Sequence, residues 1–211
     1  MTELTGIYGG TFDPVHHGHL ACARYVLAHC PLQAIRLMPC HLPPHRASPG
    51  VSAAHRAAMV KLAIANEPQM QLELSELERN SPSYTVDSLQ HLRAQGLKRL
   101  AFIIGMDSLH YFTQWHQWQQ ILQQAHLIVC QRSGYSATKG DAPALLERYG
   151  ISIEAMQQQP HGGIVLLDNP DFAGQASSLR QQLADGQTEI PLIAPAVLNY
   201  IQQHRLYTAC S

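Results

Sequence analysis

Two histidines, His16 and His19, flank Gly18 at the end of the run Gly9-Gly10-Thr11-Phe12-Asp13-Pro14-Val15-His16-His17-Gly18-His19, just after the apolar segment Leu4 to Tyr8. Paired glycines at a strand end let a backbone approach a phosphate without Cβ interference, and the start of the helix that follows favours an anion. His16 and His19 would meet on one side of a first helical turn. There, imidazoles can donate hydrogen bonds to phosphoryl oxygens, or carry positive charge as a transition state gains negative charge. The run is neither the G-x-G-x-x-G dinucleotide fingerprint nor a P-loop ending in G-K-[ST]. Three other readings stay open: zinc ligation, for which no third ligand lies at a recognisable spacing; a histidine nucleophile or base; and a polar loop in a chain with thirteen histidines.

Further polar residues follow other apolar runs. Asp107 stands two residues past Gly105, after Phe102-Ile103-Ile104, where a carboxylate can accept from two ribose hydroxyls or cap a helix. Pro43-Pro44-His45-Arg46 reads as a stiff turn presenting two potentially cationic groups, or as a solvated loop. Ser83, Tyr84 and Thr85 stand at a helix start, where free N–H groups suit a carboxylate. Arg132 follows the apolar run ending at Cys130, in position to contact phosphate or cover a nucleotide. Thr11 either lines a phosphate path or caps its own loop.

The elements that must position these residues are short apolar runs alternating with amphipathic segments. Strands are expected at Leu4 to Tyr8, Ala34 to Pro39, Met70 to Leu74, Leu100 to Ile104, His126 to Cys130 and Ile164 to Leu167. Helices are expected at His19 to His29, Ser52 to Asn66, Thr85 to Gln95, Trp118 to Gln124, Pro143 to Tyr149, Ser177 to Asp185 and Ala196 to Gln203. Such alternation predicts an α/β fold with a doubly wound parallel sheet. Ligands of that architecture bind beyond the carboxyl ends of the strands, where the marked residues fall. Gly134 to Gly163 reads as a polar excursion, and residues 1–211 as a single domain.

Composition narrows the function classes. The net charge is −1 and only 14% of the 211 residues are charged, against roughly 25% in an average soluble domain. Bulk attraction to nucleic acid or an acidic membrane is therefore not expected near neutral pH. The 45% apolar share argues against disorder. No run approaches the ~18 apolar residues of a membrane span, and Met1-Thr2-Glu3-Leu4 lacks the basic start of a signal peptide. The five cysteines, Cys22, Cys30, Cys40, Cys130 and Cys210, show no C-x-x-C spacing, so reduced thiols and a cytoplasmic location are expected. Association into a homo-oligomer stays open.

The first run resembles the signature of the H-x-G-H nucleotidyltransferase superfamily, whose Rossmann-like fold is implied with it. Pro43-Pro44-His45-Arg46, Pro82-Ser83-Tyr84-Thr85, Gly105-Met106-Asp107-Ser108-Leu109, Trp115 and Cys130-Gln131-Arg132-Ser133-Gly134 resemble one branch, the bacterial nicotinate-nucleotide adenylyltransferases. The resemblance implies adenylyl transfer from ATP to nicotinate mononucleotide, giving deamido-NAD and pyrophosphate, by direct attack of the substrate's phosphate on the α-phosphorus. It implies Mg²⁺ carried by the triphosphate, and His16 and His19 as transition-state contacts. Gly9, Gly10, Thr11, Gly18, Gly105, Asp107, Arg132, Ser177 and Arg180 would bind ATP. His45, Arg46, Tyr84, Thr85 and Trp115 would bind the pyridine nucleotide, with Thr85 reading the carboxylate and Trp115 stacking on the ring. The chain departs from the family at Gln175 and Ala176, which replace hydroxyl residues of the second phosphate segment. There, Ser177 is expected to cap a helix with Arg180 one turn on. Transfer to nicotinamide mononucleotide or phosphopantetheine, a non-catalytic nucleotide sensor, and a zinc hydrolase are the competing readings.

Overall fold

In the computed structural model, which describes residues 3–42, 50–79 and 81–208, side chains of the central apolar runs alternate between two cores. Leu100, Phe102 and Ile104 bury on one side of the sheet, with Leu127 and Val129 beside them. Ala101, Ile103, Ile128 and Cys130 bury on the other. Burial on both faces is what a parallel sheet covered by helices requires.

The strands are β1 (Leu4–Gly10), β2 (Ala34–Pro39), β3 (Met70–Leu72), β4 (Arg99–Gly105), β5 (His126–Cys130) and β6 (Ile164–Leu167). They form one parallel sheet in the order β3-β2-β1-β4-β5-β6. This is the doubly wound α/β arrangement expected from the sequence. Its switch point lies between β1 and β4, so ligands are expected above Gly10 and Gly105.

Helices α1 (His17–His29), α2 (Ala53–Ala63), α8 (Ala176–Ala184) and α9 (Pro195–Gln203) pack on one face through Leu20, Val26, Met59, Leu179 and Val197. The other face carries α3 (Thr85–Ala94), α4 (Met106–Leu109), α5 (Trp118–Leu122) and α6 (Ala142–Tyr149), through Val86, Leu89, Met106, Ile121 and Leu145. Helix α7 (Ile153–Gln158) lies inside the segment read as a polar excursion. Ser152 caps it by accepting from the Ala155 N–H, and Met156 anchors it in the core. Its apolar face is too short to show a helical period in sequence. No helix among the described residues is long and apolar enough to cross a membrane.

Two boundaries differ from expectation in ways that matter. Helix α1 starts at His17 rather than His19, which makes His16 the capping residue. Helix α8 starts at Ala176, so Ser177 lies inside the first turn and does not cap it; Gln175 is the N-cap and makes no side-chain cap bond. Gly174, at φ +125, turns the chain just before that start.

Arg56 ties the strand ends to this frame. It is 1% exposed on α2, and its guanidinium donates to Thr11 O at 2.6 Å, Cys40 O at 2.7 Å and Val51 O at 3.3 Å. The loops leaving β1 and β2 thus hang on one buried cation. Arg56→Leu strands three carbonyl acceptors, and we expect it to cost on the order of 3 kcal/mol or more in urea unfolding. An unchanged midpoint would remove this tie from the account.

Candidate active site

The two histidines cap the same helix reciprocally. His16 has extended backbone, φ −147 and ψ 170, and its Nδ1 accepts from the Gly18 N–H at 3.2 Å. The His16 N–H in turn donates to His19 Nδ1, also at 3.2 Å. This is a capping box built from imidazoles rather than from a hydroxyl and a carboxylate. With both Nδ1 atoms accepting, the neutral rings carry their protons on Nε2. The ring centroids are 3.8 Å apart, and Phe12 packs edge-on to His19 at 5.1 Å.

Burial holds both imidazoles neutral. It pulls the His16 pKa down to about 4, helped by the Arg132 guanidinium and then by the neighbouring His17. His19 is held well below its ordinary value by burial, then by His16 and Arg132. Of the two roles left open for the pair, the free protein is therefore set up for neutral N–H donation. The zinc reading gains no support, since no group of three or more potential ligands assembles among the described residues.

Glycines make the close packing around His16 achievable. A Cβ on Gly18 would stand 2.5 Å from Ala173 O and 3.0 Å from His16 Cε1. One on Gly174 would stand 2.8 Å from His16 Nδ1. The segment before α8 therefore closes over the histidine as a bare backbone.

Beside the pair, Asp13 joins the first loop to the carboxyl-terminal part of the chain. Its Oδ1 accepts from the Tyr207 hydroxyl at 2.6 Å, and its carbonyl accepts from Arg180 Nη1 at 2.8 Å. Burial and the Asp13 carboxylate push the Tyr207 pKa up, which keeps the phenol a donor. Arg180 stays 42% exposed, leaving guanidinium donors for an anion.

At the end of β4, Asp107 Oδ2 pairs with Arg132 Nη1 at 2.8 Å. Its Oδ1 is buried without a hydrogen-bond partner. Gly105 makes this possible, because a Cβ there would lie 2.4 Å from Asp107 Oδ1. Asp107 is not the N-cap of α4; Gly105 is. The carboxylate is thus available as an acceptor.

The start of α3 supplies the opposite corner. Ser83 is committed to structure: its N–H donates to Leu42 O at 2.9 Å, and its Oγ accepts from the His41 N–H at 2.9 Å. That leaves Tyr84 and Thr85, of the three residues read as a carboxylate site. Tyr84 caps α3 without a side-chain bond, and His116 lies against its ring at 4.4 Å. Trp115 packs against Phe112 at 5.4 Å and Phe102 at 6.3 Å and lines the same space.

All these corners line one cavity of about 1080 Å³. It brings together His16, His19, Gly9, Gly10, Thr11, Gly18, Gly105, Asp107, Arg132, Arg180, Tyr84, Thr85 and Trp115. Ser177 is exposed and is not among the lining residues, a consequence of the earlier start of α8. His45 and Arg46 lie outside the described residues. Gly174, Tyr207 and His116 line the cavity and were not singled out from sequence. For Gly174 a signal existed, a glycine just before a helix; for Tyr207 there was none.

The neutral histidines imply an acid limit on stability. Their folded pKa values lie below the ordinary one near 6.5, so as pH falls the unfolded chain takes up protons first. Stability is full above about pH 6.5 and declines toward pH 4, by on the order of 3 kcal/mol for His16 alone. His16→Asn keeps an acceptor for the Gly18 N–H but does not titrate. Urea midpoints from pH 7 to 4.5 should fall less for the variant than for the wild type; parallel curves would contradict the burial of a neutral His16.

Residues 7–175 match the family model described as Cytidylyltransferase-like. A Klebsiella pneumoniae (strain 342) protein named probable nicotinate-nucleotide adenylyltransferase is 42% identical, over 98% of this chain and 98% of its own. A Pectobacterium atrosepticum protein of the same name is 40% identical, over 98% of this chain and all (100%) of its own. Among solved structures, Plasmodium falciparum nicotinic acid mononucleotide adenylyltransferase complexed with NaAD superposes with a TM-score of 0.73 at 19% identity, covering 97% of both chains. The same enzyme complexed with APC gives 0.70, with the same identity and coverage. These last two carry the fold, and the curated relatives carry the family: the chain belongs to the cytidylyltransferase-like family, in its nicotinate-nucleotide adenylyltransferase branch.

Proposed function

We propose that the protein transfers the adenylyl group of ATP to nicotinate mononucleotide, releasing pyrophosphate and forming deamido-NAD for NAD biosynthesis. The observation that carries this reading is the continuity of the cavity. It joins the histidine pair, Asp107 and the Tyr84–Trp115 corner in one space. A volume near 1080 Å³ lies at the upper end of the roughly 300–1,000 Å³ of ligand pockets and suits two nucleotides meeting end to end.

In this reading a phosphate oxygen of nicotinate mononucleotide bonds to the α-phosphorus of ATP as the bond to the β-phosphate bridging oxygen breaks. No protein nucleophile takes part, so the rate comes from placement and electrostatics. His19 and His16 donate Nε2–H to the phosphoryl oxygens, where charge accumulates. Gly9, Gly10 and Thr11 present backbone to the phosphates. The start of α8 has no side-chain cap and, with Arg180, meets the departing pyrophosphate. Asp107 Oδ1 accepts from the adenosine ribose, and Arg132, held by Oδ2, lies over the nucleotide.

The start of α3 selects the acceptor substrate. The N–H groups there gain from a carboxylate and not from an amide NH₂, so nicotinate is preferred to nicotinamide, with Trp115 against the ring. Mg²⁺ would arrive on the triphosphate. Asp13 is held by Tyr207, and Asp107 by Arg132 through Oδ2, its Oδ1 being assigned in this reading to the ribose. Phosphate oxygens and water are then the ligands that fit the ion, and it would neutralise charge on the leaving pyrophosphate. Reduced thiols and the substrates themselves fit a cytoplasmic enzyme.

Pyrophosphate release from ATP and Mg²⁺ should require nicotinate mononucleotide. Parallel reactions with nicotinamide mononucleotide and phosphopantetheine should be slower; a faster rate with either overturns the substrate assignment. His19→Ala should lower turnover by roughly 10²–10³-fold or more. Near-normal turnover would remove His19 from the mechanism.

A further inference from the structure

Cys22 lies on α1 one turn past His19, and Cys130 ends β5 in register with Gly105. Their Sγ atoms share a hydrogen bond 3.4 Å long, although 108 residues separate them in the chain. Both are free thiols, buried from bulk water, and both contribute to the lining of the substrate cavity. A disulfide holds its sulfurs about 2.05 Å apart, so the pair needs to close by roughly 1.4 Å. Cys30 is the other buried cysteine on this side of the sheet and does not line the cavity.

The two thiols are chemically unequal. The Cys130 thiol, hydrogen-bonded to Cys22, lowers the Cys22 pKa, and the Tyr8 hydroxyl adds to this against the opposing effect of burial. The same bond and its own burial push Cys130 up. One sulfur therefore leans toward the nucleophilic thiolate, and its neighbour keeps its proton until a second step.

We propose that Cys22 and Cys130 form a dithiol site that hydrogen peroxide reaches through the substrate cavity and oxidises to a disulfide. The Cys22 sulfur attacks one peroxide oxygen and the O–O bond breaks. The departing oxygen takes a proton and leaves as water, and Cys22 becomes a sulfenic acid. The Cys130 sulfur then attacks the Cys22 sulfur, the S–O bond breaks, and the hydroxyl leaves as water with the Cys130 proton. Two sulfurs lose two electrons in all, and one hydrogen peroxide becomes two waters. A dithiol reductant reverses the change.

Closing this bond pulls the helix bearing His16 and His19 against the strand leading to Arg132, so oxidation lowers turnover. That consequence rests on the adenylyl-transfer reading; the bond itself does not. The test treats the purified full chain with stoichiometric hydrogen peroxide, then maps cysteines by mass spectrometry and follows pyrophosphate release. The expected result is a Cys22–Cys130 linked peptide, a mass lower by two hydrogens, two fewer titratable thiols, and lost turnover restored by dithiothreitol. Cys130→Ser should stop at a Cys22 sulfenic acid trapped by dimedone, and Cys22→Ala should form neither product. A bond involving Cys30 or Cys40 instead, or thiols at Cys22 and Cys130 that survive the peroxide, overturns the proposal. A Cys22–Cys130 bond with unchanged turnover overturns the coupling to the site. Failure of the reduced protein to release pyrophosphate counts against the enzymatic reading and leaves the disulfide standing.

Discussion

Two weak hydrogen bonds, each 3.2 Å long, decide what the first helix of this protein can do. A helix start leaves N–H groups without partners, and here two imidazoles accept from the backbone around that start. Each ring is thereby committed at Nδ1 and keeps its proton on Nε2. A serine and a glutamate would cap the helix as well, but would leave no N–H donor behind. Structure and chemistry use opposite edges of the same rings, and protonation at Nδ1 would break the cap. The pair is consequently held as neutral donors, and among the described residues the arginines of the cavity are Arg132 and Arg180.

The surrounding architecture follows from keeping that pair buried beside an open cavity. Gly18 and Gly174 admit backbone to within contact of the His16 ring. Arg56 holds the carbonyls of Thr11 and Cys40, fixing the loops that leave β1 and β2. Asp13 ties the first loop to Tyr207, 194 residues further on. The carboxyl-terminal turn is in this way part of the wall around the histidines, although nothing in its composition suggests chemistry. The net charge of −1 fits the same picture: a small anionic ligand needs a few placed donors rather than a basic surface.

Most strands were legible because they bury both faces and so read as continuous apolar runs; the edge strand β3, with Gln71 exposed, read instead as an alternating one. The third was read two residues too long: the strand ends at Leu72, with the Glu73 N–H still bonded to Leu37 O of β2. Helix α7 was missed because six residues with one buried anchor show no period. Within the site, residues at strand ends were legible by position: His16, His19, Asp107 and Arg132 follow β1, β4 and β5. Ser177 was misplaced, because the start of α8 depends on the turn at Gly174 rather than on a capping hydroxyl. Arg56 and Tyr207 were invisible for a different reason. Their roles arise from contacts across the fold, and neither lies in a motif.

The reciprocal cap fixes the tautomer and charge of both histidines. Long-range ¹H–¹⁵N correlation of the ring nitrogens at neutral pH reads this directly, with His16→Asn and His19→Asn assigning the signals. The account predicts a protonated, pyrrole-type Nε2 and an unprotonated, pyridine-type Nδ1 in both rings. A proton on Nδ1 of either ring, or an imidazolium pattern at pH 7, would contradict it.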